Sequence, residues 1–404
     1  MNTLAYWAFA YLPAPVLRRG ITTGAFLRSL LRLVRTRRVT AQVLEGTRAG
    51  VPLRVLWVGD GPYREYLLPR LFPNGFAVLE SADVSQAALP DRRGVLAGQC
   101  DLMAVERNRL LAPLAGFRRI PPGVRMGLSF RQRPPLGAKT RGKWDQARKR
   151  VAAAGVEFRD YLVRDVPEML RRFYDELYAP HITAQFGLEH VESFGAMRAI
   201  YARGLLRLGF QGDTPIAGAL YAIEGRTLVC CKSAVRDRDD PVHRAAGSIF
   251  LRLDYAEAQG YQAYDGFHAR PFFEDGVFRH KRERCLDVRA ERWAVYPGWD
   301  EDLFLRILRP APGVLDFLRA EPHLRLCGDG SLAACLCPAA DVEMVRAVIV
   351  EYERRRTPGI GRYEFLVPHA PSAQEDVALR DGCGQPATSM KFITFESLAG
   401  RGGA

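Results

Sequence analysis

Apolar positions recur along the chain with two periods, and the switches between them predict the elements. Leu53–Val58 is a compact apolar strand that runs into the turn Gly59-Asp60-Gly61-Pro62 and then a helix over Tyr63–Leu71. Further strands are expected at Leu102–Val105 and Val124–Phe130, and Arg131–Gly142, rich in Pro, Gly and basic residues, reads as a linker. A basic helix over Trp144–Ala154 stops at Gly155, and Val156–Val163 follows as a strand. From Asp165, Met169, Leu170, Phe173, Tyr174 and Leu177 recur at helical spacing, and a second helix is expected around Ser193–Arg203. Leu205–Gln211, Ile216–Ile223 and Thr227–Ser233 are separated by two tight turns, the signature of antiparallel hairpins. Gly247–Gln259 is an amphipathic helix closed by Gly260, flanked by strands at Tyr261–Phe267 and Leu286–Val295. After Pro310 the pattern reads helix, strand, helix, strand, helix, strand, up to the Gly-rich tail Ala399–Ala404. Strands and helices mixed in this way define an α+β class, and no repeat of fixed period is visible.

Composition adds limits. The 404 residues are 48% hydrophobic and 25% charged, which excludes disordered and collagen-like chains, and the length suits two or three domains. The eight cysteines form no C-x-x-C pair. Cys327, Cys335 and Cys337 are the nearest approach to a soft-metal set, but the spacing is too loose for zinc. Reduced, mostly buried thiols in a cytosolic protein without a metal are the expectation.

Charge changes the picture more. The net +13 concentrates in two zones: eight arginines against one acid in residues 1–50, and fifteen basic against five acidic residues in 118–172. The rest of the chain is slightly acidic. Such zones suit phosphates, borne by a nucleotide, a tRNA, a nucleotide-linked sugar or an anionic lipid. Met1–Leu17 is apolar but broken by Pro13 and Pro15, and is shorter than a membrane span. Phe26–Val39 places Leu27, Leu30, Leu31 and Val34 opposite arginines, so residues 1–45 are expected as a basic helical segment, with peripheral membrane contact as one use. The turn Gly59–Pro62 lacks G-x-G-x-x-G and is read as a turn first, a phosphate site second.

Residues 205–295 resemble the C-terminal half of a GNAT-like acyltransferase of the FemAB and CelD/BioF2-like group. The carriers are GDTPIAGALYAIEGRTLVCCKSA, RAAGSIFLRLDYAEAQGYQAYDGF and RPFFEDGVFRHKRE, in that order. Upstream, RGKWDQARKRVAAAGVEFRDY and FYDELYAPHITAQFG extend the likeness to residues 141–295. The resemblance implies a GNAT fold, with residues 46–140 as a diverged first half, 141–310 as the second, and 311–404 as a small α/β extension of unknown role. It implies transfer of an acyl group from a thioester such as acyl-CoA or acetyl-CoA, or of an aminoacyl group from charged tRNA, to an amine or hydroxyl of a cell-envelope, polysaccharide or small-molecule acceptor. Location would be cytoplasmic, with DNA no partner. A catalytically silent module that binds a glycan or nucleotide is the rival reading. It is motivated by Ile249, which stands where the family's phosphate loop has a small residue.

Acyl transfer needs a deprotonated acceptor, a stabilised oxyanion and a protonated leaving group. Asp265, at a strand end, and His268 three residues later are the candidate bases, and Lys281 matches the family's F-x-x-K position. Arg244, Gly247 and Ser248 occupy the place of the phosphate cradle at a helix start. Lys232, Ser233, Arg270, Tyr178 and His181 are the candidate substrate contacts.

Overall fold

The computed structural model describes residues 38–85, 98–108, 111, 113–132, 137–164, 166–201, 204–284, 286–290, 301–339, 343–383, 389–395 and 397. Met1–Leu17, the expected amphipathic helix up to position 37 and the tail from 399 lie outside them. Arg38 and Val39 are already extended, because β1 runs Arg38–Arg48. Its residues alternate in burial: Val39, Ala41 and Val43 pack on one side, Leu44 on the other. The end of the segment expected as helical is therefore strand.

β2 (Val51–Val58) pairs antiparallel with β1, α1 (Pro62–Leu71) follows, and β3 (Phe76–Ser85) returns along the other side of β1. β4 (Leu102–Asn108) lies parallel to β2, and β5 (Arg118–Ile120) is short.

The next elements build a second sheet. β6 (Val124–Ser129) precedes α2 (Ala138–Ala153), which starts inside the stretch read as linker. β7 (Glu157–Leu162) is followed by α3 (Pro167–Phe173), a π turn at Tyr174–Tyr178, α4 (Ala179–Phe186) and α5 (Phe194–Tyr201). β8 (Leu205–Gln211), β9 (Thr214–Glu224) and β10 (Thr227–Val235) form the expected antiparallel run beside β7. α6 (Pro241–Ala246) and α7 (Ile249–Ala258) lead to β11 (Ala263–Ala269), which is parallel to β10. α8 (Gly276–Arg282) and β12 (Asp287–Ala290) complete the order β12-β6-β11-β10-β9-β8-β7. Strand, helices, three antiparallel strands, helix and a parallel strand form the α+β succession expected from the sequence. One sheet face packs Leu206, Leu208 and Leu220 against Leu170, Phe173 and Leu177. The other packs Ile216 and Ala217 against α2 and α6. Burying such side chains contributes roughly 1.5–3 kcal/mol each.

β13 (Glu301–Ile307) enters the first sheet between β4 and β5, antiparallel to both. α9 (Pro312–Ala320) buries Val314, Phe317 and Leu318 in the core around Leu53, Val55 and Trp57. β14 (His323–Leu326), β15 (Leu332–Leu336), α10 (Met344–Arg355), β16 (Arg362–Val367), α11 (Ala373–Cys383) and β17 (Ser389–Thr394) make a third sheet, ordered β14-β15-β16-β17. Two compact units result. One comprises Arg125–His268 and His280–Asp287; the other holds the described residues up to Val124, Ala269–Arg279 and those from Val288 onward. No helix among the described residues is long and apolar enough to cross a membrane. None of the seven described cysteines forms a disulfide, and six of them are buried.

Candidate active site

β10 and β11 are in register only from Thr227↔Ala263 to Val229↔Asp265, although β10 continues to Val235 and β11 to Ala269. A bulge follows at once: the pairing of β10 with β9 shifts between Cys230 and Lys232. The extra residue turns the Lys232 side chain onto the face of Leu220, where the helices α3 to α5 pack. There its Nζ lies 3.0 Å from Glu192 Oε2 and 5.7 Å from the centre of the Tyr178 ring. The Tyr178 hydroxyl accepts from Glu192 N at 3.4 Å.

Asp265 is buried at the point where the parallel register ends. Its Oδ2 lies 2.9 Å from Arg125 Nε, and its Oδ1 accepts from Phe267 N at 2.7 Å. Phe267 has φ +67°, a left-handed conformation that costs a bulky residue about 1–2 kcal/mol. Lys281, also buried, donates from Nζ to the carbonyls of Phe267 (3.1 Å) and His268 (2.6 Å). The hook 265–268 is thus pinned from both sides, with the His268 ring edge-on to Phe267 at 4.2 Å between centroids. Burial, and then the cations Arg125, Lys281 and Lys232, push the His268 imidazole down to about 3. At neutral pH it is uncharged and weakly basic.

Five of the sequence candidates therefore meet: Asp265, His268, Lys281, Lys232 and Tyr178. Ser233 does not face them, since it pairs with Ala219 and points to the other side of the sheet. His181 sits near the end of β10 with its imidazole lowered by burial and by Arg238. Arg270 belongs to the other unit, its guanidinium stacked 4.1 Å over the Tyr66 ring. Arg244 is exposed at the end of α6, and Ser248 begins α7 with its Oγ buried but not capping the helix. Gly247 has a packing reason. A Cβ there would meet Val235 Cγ1 at 2.2 Å, so a glycine is needed whether or not phosphate binds nearby. Gly247 thus has a packing role on Val235, and with Ala246 it also lines a cavity beside α7.

Arg125 and Glu192 escaped the sequence reading. Arg125 lies on β6, far along the chain from Asp265, and no local pattern marks it. The turn Gly59–Pro62 is also settled by a distant residue. Glu106 on β4 places its carboxylate at the start of α1, accepting from Gly61 N (2.7 Å), Tyr63 N (2.6 Å) and Arg64 N (3.2 Å). The Glu106 carboxyl thus occupies the amides at which a phosphate would bind in this turn. Burial and the nearby Glu301 raise Glu106 to about 7, against those three hydrogen bonds.

No protein-family model matches the chain. No curated protein matches it either. Among solved structures, it is similar to the C-terminal domain of a candidate lysylphosphatidylglycerol synthetase from Agrobacterium fabrum, with 14% identity over 74% of this chain and 94% of that one (TM-score 0.34). It is similar to L-PGS from Bacillus licheniformis, with 12% identity over 69% and 85% (TM-score 0.35). FemX is a third, with 12% identity over 67% and 85% (TM-score 0.30). These are distant likenesses.

Proposed function

We propose that the unit built on the second sheet is a GNAT-type acyltransferase, with its reaction centre at the opening between β10 and β11. The observation that carries this reading is the end of the β10–β11 register at Val229↔Asp265, with Lys232 and His268 beyond it. Three cations around a neutral imidazole favour negative charge that develops in a reaction. In this reading an amine or hydroxyl attacks the carbonyl of a thioester donor. Lys232 stabilises the tetrahedral oxyanion, which collapses and expels the thiolate. Asp265 is committed to Arg125 and Phe267 N, so Glu192, beside Lys232, takes the acceptor's proton. Lys281 and Asp265 act by holding the hook, and His268 serves as a neutral hydrogen-bond partner. The acceptor class is a cell-envelope or polysaccharide precursor, or a small molecule, met at the cytosolic face of the membrane.

A specific observation favours a second donor. Lys139, Lys143, Lys149 and Arg150 are all exposed on α2, a basic face suited to the phosphates of an aminoacyl-tRNA. The test is thiol release from acetyl-CoA, and aminoacyl transfer from charged tRNA, across a set of amine and hydroxyl acceptors. Turnover with either donor supports the reading; a purified, folded protein inert with both refutes it.

A further inference from the structure

The same unit holds a cavity of about 320 Å³ on the sheet face opposite Lys232, between β9 and α7. The strand leaves this room because Ala217 and Ala219 present only methyl groups, and Leu251 and Tyr255 of α7 form the facing wall. The lining is mainly apolar, but one region is polar. Tyr221 lines the cavity, is fully buried and has no hydrogen-bond partner for its hydroxyl among the described residues. Beside it is Arg252, whose Nε is shut off from solvent and unpartnered among the described residues, while its Nη1 donates to the Cys230 thiol at 3.5 Å.

The charges around the cavity do not balance. Arg207 is paired with Asp160 at 2.7 Å, and Asp254 with Arg148 at 2.5 Å. Among the described residues no carboxylate pairs with Arg252. Arg252 is only partly buried, but its Nε is shut off from water without a partner, which is costly, and so is a buried hydroxyl with no partner. Both costs are removed by one ligand group that is anionic and accepts hydrogen bonds.

We propose that this cavity binds a small organic carboxylate, its head held by Arg252 and Tyr221 and its apolar tail lying along Ala217, Ala219 and Leu251. A carboxylate suits the site better than a phosphate. Two donor side chains satisfy two carboxylate oxygens, whereas a dianion would need more donors than these apolar walls offer. The volume lies at the small end of ligand cavities. This site is separate from the proposed reaction centre and does not depend on acyl transfer. Arg252 does touch Cys230, where the register of β10 shifts, so an occupant bears on the strand that carries Lys232.

The experiment measures thermal shift and calorimetric binding of sodium octanoate to the full chain, with 1-octanol as the uncharged control. Octanoate is expected to raise the melting temperature saturably, and octanol to bind at least tenfold more weakly. Arg252→Gln should weaken octanoate at least tenfold, Tyr221→Phe several-fold, and Ala219→Leu, which fills the cavity, should abolish binding. Should Arg252→Gln fail to fold by circular dichroism, the octanoate–octanol comparison and Ala219→Leu decide. The proposal is overturned if the wild-type chain shows no saturable octanoate binding, if octanol binds as well, or if Ala219→Leu binds unchanged.

Discussion

Arg125 Nε stands 2.9 Å from Asp265 Oδ2, and this pair joins the strand β6 to the residue at which β10 and β11 cease to be in register. Asp265 is nearly inaccessible and Arg125 only partly exposed, so removing one partner leaves a charge poorly solvated. Arg125→Ala should cost about 2–3 kcal/mol, somewhat below the figure for a fully buried pair. Activity should fall with it, because the hook 265–268 loses an anchor. Urea unfolding of Arg125→Ala, Asp265→Ala and the double variant gives the coupling energy. A coupling near zero would show that the pair holds nothing.

Gly247→Ala should destabilise by about 1–3 kcal/mol through overpacking against Val235, with no backbone strain because its φ is −82°. Val235→Ala in the same chain should restore most of that loss. Rescue of both stability and activity marks Gly247 as a packing residue. Rescue of stability alone would mark a ligand role.

Stability should depend on pH with opposite signs in two places. His323 is 1% exposed, and burial, followed by Arg118, lowers it to about 4. The unfolded chain therefore takes the proton first. The contribution of neutral His323 is present above about 6.5 and lost as pH falls toward 4, with His268 acting in the same sense. His323→Gln should flatten that acid limb in melting curves. Glu106 runs the other way: its folded value of about 7 lies above the ordinary 4.5. Its contribution is present below pH 4.5 and lost as pH rises through 7. Glu301→Gln removes the neighbouring charge, so the variant should gain on the wild type between pH 5 and pH 7.5. An equal gain at both pH values would sink this account of Glu106.

How much of this was legible in the sequence follows from the range of each interaction. The hairpins β8–β10, the helix after them and the strand β11 show in local periodicity and turn residues, and the resemblance placed Asp265, His268, Lys281 and Lys232 in one region. The start of β1 falls inside the segment expected as helical because Leu27, Leu30, Leu31 and Val34 before it recur at helical spacing. β13 sits between β4 and β5, a pairing across nearly two hundred residues that no local signal carries. Arg125, Glu192 and Glu106 act through contacts of the same long range. The packing of Gly247 on Val235 is likewise a contact across the fold, and from sequence alone a glycine at a helix start reads equally as cradle or contact.

If an aminoacyl-tRNA is the donor, the exposed basic face of α2 should set the salt dependence. Replacing Lys139, Lys143, Lys149 and Arg150 by Gln should weaken tRNA binding at low salt and flatten its dependence on salt concentration. Filter binding between 50 and 200 mM salt, roughly the range over which such contacts are lost, reads this out. Unchanged slopes would place any tRNA elsewhere.

The most direct measurement is the turnover number of Lys232→Met with the best donor–acceptor pair found for the wild-type protein. If the opening between β10 and β11 is the reaction centre, kcat falls about 10²–10³-fold while the fold is kept, as for loss of one oxyanion donor. A folded Lys232→Met protein with wild-type kcat would contradict it.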